Sequence, residues 1–67
     1  MIKCHISRLM GEKKIKISDV SARTGINRGT LTRLYYEETE RIEIETLDKL
    51  CDYFDCGIQD IFEYIKE

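Results

Sequence analysis

Apolar positions recur at helical spacing in most of the chain. Ile2, Ile6, Leu9 and Met10 predict a first amphipathic helix over residues 2 to about 13. Lysines at 13 and 14 suit its end, because cations favour the negative pole of a helix. A short second helix holds Val20, Ser21 and Ala22. Ser18 is its expected N-cap, with Lys16 just ahead and Asp19 in the first turn. Gly25 then marks a turn, since a helix most readily ends on a left-handed residue that has no Cβ. Ile26 points to the core and Asn27 is placed to cap a third helix, about 28–36, whose buried stripe is Leu31 and Leu34. Arg28, Thr32 and Arg33 fall outside that stripe.

The segment "EETERIEIE" has no glycine or proline and is read as an extended linker running into a fourth helix. Glu43 and Glu45 fall near that helix's positive end. Leu47, Leu50, Cys51 and Phe54 follow the i, i+3, i+4, i+7 pattern. "DCG" breaks it, and Ile58, Ile61, Phe62 and Ile65 repeat the spacing in a fifth helix. Leu31, Leu50 and Phe62 are expected to pack together.

Length turns this string of helices into one small domain, 1–67. A 67-residue chain buries only about 60% of the surface its unfolded form exposes, so it gains from a partner. The net charge of −2 hides an asymmetry. Up to Tyr36 there are eight bases and two acids, a balance of +6; from Glu37 onward there are three bases and eleven acids, −8. A basic face is therefore available despite the acidic total. Acidic helices are also simply soluble, so the asymmetry supports a reading without carrying one.

Three cysteines at untidy spacing fit a reducing compartment rather than a disulfide framework, and no metal site is expected. No apolar run reaches membrane-spanning length and no leader is seen, so a cytoplasmic protein is expected. There is one histidine, no phosphate-cradling glycine loop and no paired carboxylates in a convincing pocket. An enzyme, a cofactor and a small-molecule substrate are not expected. His5 reads as structural, and Arg23 as part of a solvated face.

Two short helices joined by a glycine turn, the second with polar residues outward, form a helix-turn-helix. "TGINRGTLTRLYY" is that second half. Such a helix fits the major groove of duplex DNA.

The stretches "ISDVSARTGINRGTLTRLYY" and "IEIETLDKLCDYFDCGIQDIF" together resemble the phage-repressor and Cro type of helix-turn-helix, also called the xenobiotic-response-element type, in its compact branch. The resemblance covers nearly the whole chain. It implies an all-α, five-helix, lambda-repressor-like domain with the helix-turn-helix at helices two and three, binding double-stranded DNA, commonly as a homodimer. Arg28, Gly29 and Arg33 match positions that face the major groove, and arginine grips the guanine edge with two hydrogen bonds. Thr30 and Thr32 are candidates for a thymine methyl or a phosphate. Lys16, Ser18, Asn27, Tyr36 and Arg41 match positions near the DNA backbone. Ser21 matches a small residue where helices two and three pack closely.

Two departures stand out. Ile17 occupies a position where the family often has a glutamine that holds a phosphate. The linker has "YYEET" in place of a frequent Asn-Gly, and Glu37, Glu38 and Glu40 would repel phosphate if they faced it. A glycine inside a helix costs about 1 kcal/mol relative to alanine, so Gly29 reflects either close approach to DNA or drift at an exposed position. The expected function is a sequence-specific regulator of transcription, a repressor, that binds duplex DNA and reads the major groove with helix three, about 28–36. The rival is a helical protein-interaction module that kept the fold without DNA binding, which the acidic second half favours.

Overall fold

The computed structural model describes residues 1–67. Its elements run β1 (Ile2–Cys4), α1 (Ile6–Lys13), α2 (Ile17–Thr24), α3 (Arg28–Tyr35), α4 (Ile44–Phe54), α5 (Ile58–Ile61) and β2 (Phe62–Tyr64). The five helices are as expected, and the fold is all-α with one small addition. β1 and β2 pair antiparallel, with Ile2 opposite Tyr64, Lys3 opposite Glu63 and Cys4 opposite Phe62.

That ribbon corrects both ends of the predicted helix pattern. The first helix does not begin at residue 2. The His5 N–H donates to the Ile61 carbonyl at 2.7 Å, and Met1 and Ile65 exchange backbone hydrogen bonds on the far side of the ribbon. The chain therefore enters α1 only at Ile6. The fifth helix likewise lasts one turn, because Phe62 leaves it with extended backbone to join β2. Of its four predicted core positions only Ile61 is fully buried, while Ile58 is exposed.

The N-cap of α2 is also one step from the expected residue. Lys16 holds that position with extended backbone, and its N–H donates to the Asp19 carboxylate at 3.0 Å. Ser18 lies inside the first turn. Glu43 holds the N-cap position of α4, without a side-chain capping bond, and Glu45 sits in the first turn, so both acids lie near the positive end as expected.

Nine apolar side chains form the core: Ile6, Met10, Val20, Ile26, Leu31, Leu34, Leu50, Phe54 and Ile61. Phe62, Cys51, Tyr35 and Ile17 pack against it from partly exposed positions. No charged or polar residue is buried. With so few members, each fully buried aliphatic chain, at roughly 1.5–3 kcal/mol, is a large share of the driving force. No helix is long and apolar enough to cross a membrane.

Three helices end in the same way without glycine. Lys14, Glu37 and Asp55 take left-handed backbone, with φ of +54°, +57° and +52°. In each case the next residue's N–H closes a six-residue ring: Ile15 to Met10, Glu38 to Arg33 and Cys56 to Cys51, at 3.1, 2.8 and 3.0 Å. This double closure satisfies the last carbonyls of α1, α3 and α4.

Candidate nucleic-acid interface

The corner between α2 and α3 is held by hydroxyls as well as by packing. Gly25 has φ of +79°, and its N–H donates to the Ser21 carbonyl at 2.8 Å. The Ser21 hydroxyl donates to the Ile26 carbonyl at 2.7 Å. The Thr24 hydroxyl donates to the Val20 carbonyl at 2.6 Å and accepts the Ile26 N–H at 3.1 Å. The backbone groups exposed by the turn are thereby satisfied. Ile26 is anchored in the core just beyond the turn, so α3 leaves it in one direction. Ser21 thus does more than stay small, and Thr24 is a brace that periodicity gives no sign of.

Asn27 caps α3 as expected, its side-chain oxygen accepting the Gly29 N–H at 2.7 Å. The cap also accounts for Gly29. A Cβ there would lie 2.9 Å from the Asn27 Oδ1 and 3.7 Å from an Arg33 guanidinium nitrogen. A side chain at this position would make the cap oxygen shift, a local constraint that stands beside both readings of the sequence.

Leu31 and Leu34 turn one stripe of α3 inward. Arg28, Thr32, Arg33 and Tyr36 are exposed, and Gly29 and Thr30 partly so. The Thr32 hydroxyl donates to the Arg28 carbonyl at 2.8 Å, so its remaining capacity is as an acceptor. Arg33 Nη2 reaches the Thr30 hydroxyl at 3.5 Å, a loose contact. The chain's two ion pairs are His5–Glu63 and Lys49–Glu45, so neither arginine of α3 is neutralised by a carboxylate. Both residues are exposed, and apart from the loose Arg33–Thr30 contact their guanidinium donors have no partner in the chain.

Arg33 and Thr30 share a groove of about 340 Å³ with Arg41, Thr39, Thr46 and Glu43. The fold thus brings a base-contact candidate and a backbone candidate, Arg33 and Arg41, to one depression. Thr39 and Thr46 join them without any signal in the sequence. The Thr39 hydroxyl oxygen is enclosed and has no hydrogen-bond partner within the chain. Lys16 and Ser18 are exposed at the start of α2, and Tyr36 is exposed just past α3 with its ring edge-on to Tyr35 at 5.1 Å.

The first departure acquires a physical account, and the second does in part. Ile17 packs its side chain on the core. Glu37 turns back to β1, where its carboxylate accepts the Cys4 N–H at 3.0 Å. Glu38 and Glu40 remain exposed. Burial pushes the Cys4 thiol above its ordinary pKa, with the Glu37 charge adding to the rise and a hydrogen bond to the Ile6 backbone opposing it.

The family model of the Cro/C1-type HTH DNA-binding domain matches residues 5–67. The chain belongs to this family. It is similar to a Bacillus subtilis (strain 168) protein named as the uncharacterized HTH-type transcriptional regulator YozG. The two are 28% identical over 60 residues, which cover 90% of this chain and 71% of that one. The Cro/C1-type family is one of DNA-binding transcription regulators, not of enzymes. The match begins at His5, so it takes in β2 but leaves β1 outside.

Proposed function

We propose that this Cro/C1-type domain is a sequence-specific repressor that lays α3 in the major groove of duplex DNA, works as a two-fold homodimer and acts in the cytoplasm. The observation that carries the reading is the state of Arg28 and Arg33. They stand on the open face of a helix fixed by a hydroxyl-braced turn, and no carboxylate neutralises them. Each supplies the fork that pairs with the O6 and N7 of guanine.

The other candidates divide by reach. Thr32 presents a methyl and an acceptor to base edges beside Arg28, and Thr30 a methyl from the opposite flank of the helix, beside Arg33. Gly29 lets the start of α3 come close without a side chain between. Lys16, Ser18, Tyr36 and Arg41 are exposed polar groups at the flanks, suited to phosphates, which position a protein on DNA without reading it. Asn27 has its oxygen taken by the cap and keeps its amide donors for a phosphate. A two-fold dimer sets two α3 helices one turn of DNA apart, about 34–36 Å, so two modest half-site contacts act together.

Selection of bound duplexes from a random library tests the reading. It should return an inverted repeat whose affinity falls steeply with added salt, as neutralised phosphates require. Absence of salt-sensitive binding at low ionic strength would favour the protein-interaction module instead.

A further inference from the structure

A cavity of about 360 Å³ opens between the terminal ribbon, the end of α3, the linker and α4. Small-molecule sites occupy about 300–1,000 Å³, so it is large enough for a small ligand. Ile2 and Phe62 of the ribbon, Leu34 of α3 and Leu47 of α4 give it an apolar wall. Ile2 is 62% exposed there, apolar surface that a ligand would cover. The linker supplies the polar groups. An apolar wall with a few polar groups is how such sites hold and orient a ligand.

Two features of those polar groups are incomplete within the chain. The Thr39 hydroxyl oxygen borders the cavity and is enclosed without a hydrogen-bond partner. An enclosed hydroxyl left unpaired is costly, and a ligand atom would satisfy it. The second feature is charge. Glu37, Glu40 and Arg41 also border the cavity, and none of them belongs to either of the chain's ion pairs. Glu37 spends one carboxylate oxygen on the Cys4 N–H and keeps the other free. Arg41 also borders the groove beside Arg33, where the preceding subsection gives it to phosphate. The charge left over for a ligand in the cavity is therefore negative.

We propose that this cavity binds a small lipophilic amine. Its ammonium group meets Glu37 and Glu40 and donates one N–H to the Thr39 hydroxyl, while its hydrocarbon body lies against Ile2, Leu34, Leu47 and Phe62. The effect of this ligand on DNA rests on the preceding subsection, whereas its binding does not. Glu37 and Glu40 oppose phosphate by their charge, and a bound cation offsets them beside Arg41. The amine is then a co-effector that strengthens operator binding, and the operator strengthens amine binding by the same factor.

The test compares phenylbutylamine, phenylbutanol and phenylbutyrate, which share a body and differ in charge. Each is titrated into the free full chain by calorimetry, and amide chemical shifts locate the site. The amine should saturate, shift the Cys4, Thr39 and Leu47 amides most, and bind about fivefold tighter than the alcohol, the advantage that partly exposed ion pairs supply. Phenylbutyrate should bind weakest. Glu37→Gln combined with Glu40→Gln should erase the advantage of the amine over the alcohol. Thr39→Val, which removes only the unpaired hydroxyl, should weaken both ligands without lowering stability. No saturable binding, or shifts away from the cavity, overturns the site. An alcohol or carboxylate that binds as tightly as the amine overturns the ammonium assignment. At fixed ionic strength, saturating amine should raise operator affinity about fivefold. Unchanged or weaker operator binding overturns the co-effector role and leaves the site standing. A chain that binds the amine but no duplex contradicts the preceding subsection alone.

Discussion

The Glu37 carboxylate accepts the Cys4 N–H at 3.0 Å, across 33 residues of sequence. Glu37 is the left-handed residue that closes α3, and Cys4 is the last residue of β1. One side chain therefore ties the end of the proposed reading helix to the terminal ribbon. It also gives an acid of the linker, still exposed, a backbone donor to bind. Glu37→Ala should lower stability by about 1 kcal/mol and speed exchange of the Cys4 amide, whereas Glu37→Gln, which keeps an acceptor oxygen, should lose less. Denaturant titration with amide exchange reads both.

Asp55 closes α4 in left-handed backbone, where a Cβ is strained and glycine is not. Asp55→Gly should raise stability by roughly 0.5–1 kcal/mol, after the entropy cost of a new glycine is deducted. The urea midpoint should move up with its slope unchanged.

Leu50 is fully buried, and Ile58 is 56% exposed although the same helical spacing marks both as core. Leu50→Ala should cost about 2–5 kcal/mol through lost burial and a cavity. Ile58→Ala should stay within about 0.5 kcal/mol. Equal costs in thermal melts would mean that the face of α5 is misassigned.

These two residues show what was legible in the sequence. Val20, Leu31, Leu34, Leu50 and Phe54 were readable because each lies on a helix long enough to display its period, and Ile26 because it is the apolar residue just after the glycine turn. Gly25 and Asn27 were readable because their chemistry is local: a left-handed turn and a side-chain cap. The ribbon was not. Ile2 and Ile6 stand one helical turn apart, and three residues of strand show no period of their own. What makes them a strand is a partner some sixty residues away. The ends of α1, α3 and α4 were readable near residues 13, 36 and 55, but not that Lys14, Glu37 and Asp55 close them in left-handed backbone, since none is a glycine. At the candidate site, Arg28 and Arg33 were legible as long donors outside the buried stripe. Thr39 and Thr46 were not, since only the folded linker brings them beside Arg33.

Gly29 gives a sharper test of local geometry, because a Cβ there would crowd the Asn27 cap oxygen at 2.9 Å. Helix propensity favours Gly29→Ala by about 1 kcal/mol, and loss of the cap opposes it by a similar amount. The single change should be close to neutral. In an Asn27→Gly background, where nothing is left to clash, the same change should stabilise by about 1 kcal/mol. A double-mutant cycle in urea isolates this coupling. Weaker DNA binding by Gly29→Ala at unchanged stability would add close approach to DNA as a second role.

Whether α3 reads bases is tested most directly by the affinity of Arg28→Ala and Arg33→Ala for a selected operator and its single-base variants, at fixed salt. Each change should cost about 1–3 kcal/mol on the operator and flatten the preference at one base position while leaving the others intact. A loss of equal size on every duplex would make that arginine a phosphate contact. Unchanged base preferences in both variants would contradict the account.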